Sequence, residues 1–89
     1  MAVCKRVRYS GQVQGVGFRV TAQSLAGHYP VGGHVRNLPT GDVELVVEGE
    51  AGQVEAFLGA VARRMGPYIQ HTTVHEMTPT GLTRFTIKH

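Results

Sequence analysis

Cysteine is nearly missing from this 89-residue sequence, tryptophan is absent, and no long apolar run occurs. The single cysteine, Cys4, can neither close an internal disulfide nor anchor a thiolate zinc site alone. No stretch approaches the ~20 apolar residues needed to span a bilayer. Behind the positive charges of Lys5 and Arg6 there is no apolar segment of the secretory-leader kind, so a reducing, cytoplasmic setting is expected. Repeats, low-complexity tracts and linkers are lacking too. A disulfide-stapled miniprotein and a membrane protein are excluded.

What remains is ordinary globular material, 42% hydrophobic and 17% charged. The length suits one domain over residues 1–89, not several. A chain this short buries only ~60–65% of its unfolded surface, which leaves no room for a deep, enclosed active site. Any chemistry must sit at an edge or loop and use few residues. Nine Lys and Arg against six Asp and Glu give a net charge of +3, which favours anionic partners without identifying one.

Val3 to Val13 reads as a strand, with Val3, Lys5, Val7 and Tyr9 alternating against Cys4, Arg6, Arg8 and Ser10. Phe18 to Tyr29 reads as a helix, since Phe18, Ala22, Leu25, Ala26 and Tyr29 form one stripe and Pro30 cannot continue it. Residues 33 to 48 read as a hairpin around the Leu38-Pro39-Thr40-Gly41-Asp42 turn. Val54, Phe57, Leu58, Val61, Ala62 and Met65 keep helical spacing up to a Gly66-Pro67 stop. Val74–Met77 and Phe85–Lys88 read as short closing strands. Two amphipathic helices need one sheet to cover. The pattern therefore predicts an α+β, ferredoxin-like two-layer sandwich: βαββαβ plus a short extra strand, an antiparallel sheet of four to five strands, and both helices on one face.

The informative stretch is Ser10-Gly11-Gln12-Val13-Gln14-Gly15-Val16-Gly17-Phe18-Arg19, a glycine-rich junction between strand and helix. A helix N-terminus leaves backbone N–H groups unpaired and carries partial positive charge, so a loop turned inward there can cradle an anion. Gly15 and Gly17 allow a close backbone approach, and Arg19 in the first turn can aim a permanently charged fork at the same point. The Gly-Lys-Ser/Thr ending of the Walker loop is absent, and G-x-G-x-x-G fails at Val20. This is a phosphate cradle of another kind.

Gly11-Gln12-Val13-Gln14-Gly15-Val16-Gly17-Phe18-Arg19 resembles the G-R-V-Q-G-V-x-F-R signature of the acylphosphatases. Gly33-His34-Val35-Arg36-Asn37, with Gly41-Asp42-Val43-Glu44 and Glu48-Gly49 downstream, is similar to that family's second motif, and the spacing holds to Phe85-Thr86-Ile87. The resemblance implies a small ferredoxin-like enzyme that hydrolyses the carboxyl–phosphate bond of acyl phosphates with no metal and no cofactor. It assigns phosphate binding to Arg19 and to the backbone amides of Gln14, Gly15, Val16, Gly17 and Phe18, and water orientation to Asn37. Inorganic phosphate or sulfate is then expected to fit the cradle. Because the carboxylate leaves readily, positioning and charge stabilisation suffice. An amide such as Asn37 is a poor base, but it orients water well because it both donates and accepts.

Three positions depart from the family pattern. Gln12 replaces an arginine, His34 replaces an aromatic, and Val20 stands where many members carry an aromatic. They bear on turnover and substrate preference rather than on the reaction.

Plainer readings stand beside these. Arg19 would also suit an exposed helix surface, and Asn37 before Leu-Pro is good turn chemistry. His71 and His75 have the spacing of a helical metal pair but fall in a loop-and-strand segment with no third ligand in view. Cys4 is expected half-buried and unreactive. RNA-recognition modules share the βαββαβ order, but Val43 to Glu48 carries two glutamates and no aromatic, so no nucleic-acid partner is expected. Acylphosphatase-like domains that handle carbamoyl phosphate remain a further alternative. The expected partner is a small acyl phosphate, with no membrane involved and the protein acting as a monomer.

Overall fold

A computed structural model describes residues 1–89 as five strands and two helices in the order β1 (Ala2–Gly11), α1 (Phe18–Ala26), β2 (Gly32–Asn37), β3 (Val43–Glu50), α2 (Ala51–Met65), β4 (Ile69–Met77) and β5 (Phe85–Lys88). The strands form one sheet in the order β4-β1-β3-β2-β5. Both helices pack on a single face, giving the two-layer ferredoxin-like sandwich that the periodicities require.

The sheet is mixed, not wholly antiparallel: β5 runs parallel to β2, while the other three pairings are antiparallel. The cause is the last connection. β4 finishes beside Cys4, at the same end of the sheet as Glu48, and the chain crosses there from one edge to the other. Having crossed at that end, β5 can only run back alongside β2.

β1 ends at Gly11 rather than Val13, because the pairing with β4 shifts register between Ser10 and Gly11 and the chain then peels away. Val7 and Tyr9 face the helices and are buried. Lys5 shares their side, and its ammonium is taken up by Glu55 of α2 at 2.6 Å and by Glu76 of β4 at 3.6 Å. α1 stops at Ala26 instead of Tyr29; the next residues continue as turns, with His28 N–H donating to Leu25 and Tyr29 N–H to Ala26. α2 starts three residues ahead of its first stripe position, because the Glu50 carboxylate caps it by accepting from Gln53 N–H.

β4 is nine residues long, more than twice the Val74–Met77 segment. It is an edge strand with only Ile69 partly buried, so apolar alternation marks little of it. As a strand it carries His71 and His75 opposite Ser10 and Arg6 of β1, roughly 13 Å apart along the chain, too far to share an ion.

The face away from the helices is covered at one end by the β4–β5 crossing. Thr80 and Gly81 donate their amides to the Glu48 carboxylate at 2.9 and 2.7 Å, leaving Glu48 only 5% exposed. The Thr80 amide, followed by that of Gly81, holds the Glu48 carboxyl below its ordinary range against the opposing effect of burial. Cys4 lies opposite Glu48 and is fully buried, not half-buried; burial, and next the Glu48 carboxylate, push its thiol up. It is a neutral, enclosed thiol.

Candidate active site

β1 hands over to α1 through Gln12–Gly17, a segment with no regular structure. Gly15 and Gly17 both adopt left-handed φ, of 79° and 77°, and Gly17 is the N-cap of α1. These angles strain any residue with a Cβ. They fold the loop back over the start of the helix without using up its donors. The first amide of this region to find a helical acceptor is that of Thr21, which donates to the Gly17 carbonyl at 3.0 Å. The backbone N–H groups of Gln14, Gly15, Val16, Gly17 and Phe18 donate to nothing within the chain.

Unpaired donors of this kind are what a helix N-terminus offers an anion, and here a guanidinium joins them. Arg19 sits in the first turn of α1, and no carboxylate pairs with it. Its Nη1 lies 3.4 Å from the Lys88 carbonyl oxygen, to which it donates, and 3.4 Å from His89 Nδ1. The end of β5 thus steadies the side chain while the rest of the fork stays available.

The loop, Arg19 and the end of β2 enclose a hollow of about 130 Å³ lined by Val13, Gly15, Gly17, Phe18, Arg19, Val20 and Asn37. Asn37 reaches it because Gly33, Val35 and Asn37 occupy the helix-facing side of β2, while His34 and Arg36 point to the other face. Arg36 there pairs with Glu44 at 2.9 Å. Two larger hollows, of about 320 and 340 Å³, contain no residue of the glycine loop. Volume does not select the site; a small anion needs convergent donors more than space.

The seven residues assigned from sequence do not all reach this hollow. Gly15, Gly17, Phe18, Arg19 and Asn37 line it, whereas Gln14 and Val16 do not. Val16 packs instead against the core. Gln14 turns its side chain toward the β2–β3 turn, where Nε2 donates to the carbonyls of Leu38 and Asp42, each at 2.9 Å. That amide ties the glycine loop to the turn directly following Asn37, a role no local pattern signals.

Val13 and Val20 were not among the assigned residues. Val13, fully buried beneath the loop, forms the floor. The aromatic rings of Tyr9 and Phe18 pack below at 4.9 Å between centroids, and burial pushes the Tyr9 phenol far up, so it stays neutral. Of the departures from the family pattern, only Val20 borders the hollow. Gln12 is outside it, with its amide donating to the Tyr68 carbonyl at 2.9 Å. His34 lies on the opposite side of the sheet, where burial, and next the Lys88 charge, lower its pKa.

No carboxylate, thiol or imidazole lines the hollow. What it offers is one guanidinium, one carboxamide and backbone donors. That set recognises a tetrahedral oxyanion and can hold a water beside it.

Known proteins resemble this chain over nearly its whole length. The family model described as Acylphosphatase matches residues 5–87. A protein of Methanospirillum hungatei named Acylphosphatase is 42% identical over 81 residues, covering 89% of each chain. The crystal structure of acylphosphatase from Bacillus subtilis superposes with a TM-score of 0.88 at 30% identity, covering all of both chains. Part of the T. kodakarensis HypF crystal structure is similar as well: 96% of this chain matches 12% of that one, with a TM-score of 0.79 at 31% identity.

Proposed function

This chain belongs to the acylphosphatase family, enzymes that hydrolyse small acyl phosphates, and from that premise we propose how its own residues carry the reaction. The phosphoryl group enters the glycine loop, where the amides of Gly15, Gly17 and Phe18 and the Arg19 guanidinium bind its oxygens, and the unpaired N–H groups of Gln14 and Val16 in the same loop add to its positive potential. The Asn37 carboxamide orients a water for in-line attack on phosphorus. As the new P–O bond forms, the bond to the acyl oxygen breaks and carboxylate departs with its electron pair. The water proton passes to a phosphoryl oxygen of the substrate, and the products are carboxylate and dihydrogen phosphate.

The juxtaposition that supports this reading is a row of unpaired backbone donors beside an arginine without a carboxylate partner, with Asn37 on the same hollow. Charge on the equatorial oxygens meets donors already in place, so little reorganisation accompanies the step. The carboxylate is a good leaving group, so neither a general acid nor a metal is required. No helix of the chain is long and apolar enough to cross a membrane. The reading takes residues 1–89 as one domain working as a cytoplasmic monomer, with inorganic phosphate or sulfate able to occupy the cradle.

Phosphate release from an aryl acyl phosphate by wild type, Arg19→Ala and Asn37→Ala tests the assignment. At ~4 Å and an effective dielectric near 20 a charge pair is worth about 4 kcal/mol, reduced where water has access. Arg19→Ala should therefore lower kcat/KM by about 100-fold or more and weaken competitive inhibition by phosphate. Asn37→Ala should lower kcat by about 100-fold with phosphate affinity largely retained. An Asn37→Ala protein of normal turnover would remove the water-orienting role.

A further inference from the structure

One wall of the hollow is not accounted for by phosphate. Val13 and Phe18 are buried beneath it, and Gly15 and Gly17 offer backbone only. Val20 lines the same hollow yet is 66% exposed, in the first turn of α1. A single exposed valine elsewhere needs no explanation. At the mouth of a phosphoryl site it is different, because the rest of the substrate must lie just outside the cradle. In-line displacement also directs the leaving oxygen away from the attacking water, and so away from Asn37. Apart from Arg19, no charged side chain lines the hollow to meet a polar or charged acyl group.

We propose that Val20 is a specificity-determining residue whose isopropyl group receives the acyl chain, so that acyl phosphates with uncharged, apolar acyl groups are the preferred class. This deepens the catalytic reading above and rests on it. An acetyl group ends too near the phosphorus to use such a wall, whereas a butyryl chain extends onto it. The wall is one-sided and open to water, so selectivity is modest: each methylene that leaves water against it raises kcat/KM by about threefold at most.

The test is the ratio of kcat/KM for butyryl phosphate to that for acetyl phosphate, in wild type, Val20→Ser and Val20→Leu. A four-carbon monoacyl phosphate ending in a carboxylate serves as the charged comparison. Wild type should favour butyryl over acetyl by about threefold to tenfold and disfavour the charged chain. Val20→Ser should bring the butyryl-to-acetyl ratio close to one, and Val20→Leu should raise it. A change confined to helix stability or to phosphate binding would shift both substrates alike and leave the ratio alone. A ratio unchanged in both variants overturns the acyl wall while the catalytic reading stands. No phosphate release from any of these substrates by wild type overturns the catalytic reading, and this inference with it.

Discussion

The Gln14 side chain joins the two halves of the site, and Gln14→Ala would cut that joint without touching a reacting group. One carboxamide donates to both Leu38 and Asp42 carbonyls at 2.9 Å, across the turn that follows Asn37. A neutral hydrogen bond contributes about 0.5–1.5 kcal/mol net. Both carbonyls keep a second partner, since Leu38 O also accepts from Gly41 N–H and Asp42 O from Leu38 N–H. The two lost bonds should therefore cost about 1 kcal/mol together, which lowers Tm by roughly 4–8 °C in a domain of this size. The effect on catalysis should exceed that stability loss, because Asn37 must stand within a fraction of an ångström of its working position. A displacement near 1 Å can cost ~100-fold, and partial loosening should cost about 10-fold. The backbone amide of residue 14 survives the substitution, so the loss should fall on kcat while KM and phosphate inhibition stay within about twofold. Gln14→Glu, which cannot donate and faces two carbonyls, should be no better than alanine. Steady-state kinetics with thermal unfolding on the same samples reads both effects. Full kcat in a protein destabilised as expected would refute the joint, and a raised KM with unchanged kcat would move Gln14 into phosphate binding.

Two further outcomes follow from the far end of the sheet. Glu48 is held below its ordinary pKa of 4.5 by the Thr80 and Gly81 amides, so its contribution to stability is complete above that value and is lost as pH falls through the lowered one. Thermal unfolding midpoints should thus fall less steeply for Glu48→Gln than for wild type as pH is taken from about 5 to about 2; identical slopes would contradict the clasp. Gly33→Ala should fail for want of space, because a Cβ there would collide with the Val46 carbonyl oxygen in the neighbouring strand. Circular dichroism and unfolding should show a loss of several kcal/mol or no folded protein, as expected for forced overpacking, and a native-like Tm would show that the β2–β3 contact is looser than drawn.

Much of the fold was legible because both helices bury a stripe whose spacing survives in the sequence. The α2 stripe from Val54 to Met65 lies on the core side, with Val54, Phe57, Val61 and Met65 buried. Local pattern failed wherever a distant segment decides the outcome. β4 holds its place by pairing with β1 along a nearly exposed edge, so its first five residues carry no alternation to detect. Glu48 is enclosed where the Thr80 and Gly81 amides of the crossing segment close on its carboxylate, and that crossing also sets the direction of β5. The candidate site was legible in part. The glycine loop and Arg19 are contiguous, and Asn37 came with the second motif. Gln14 was assigned for its backbone, but its side chain answers to the Leu38–Asp42 turn, whose position depends on how the hairpin packs. Val20 reads from sequence as an outward helix residue and gains meaning only from the hollow beside it.

The account turns on backbone amides and one guanidinium converging on a phosphoryl group at the start of α1. Titrating isotope-labelled protein with inorganic phosphate, and following every backbone amide and the arginine side-chain N–H signals by NMR, tests this most directly. The largest shifts should fall on Gly15, Gly17, Phe18 and the Arg19 side chain, and Arg19→Ala should abolish them. Shifts centred on Arg63 and Arg64 between the helices, with the glycine loop unmoved, would contradict it.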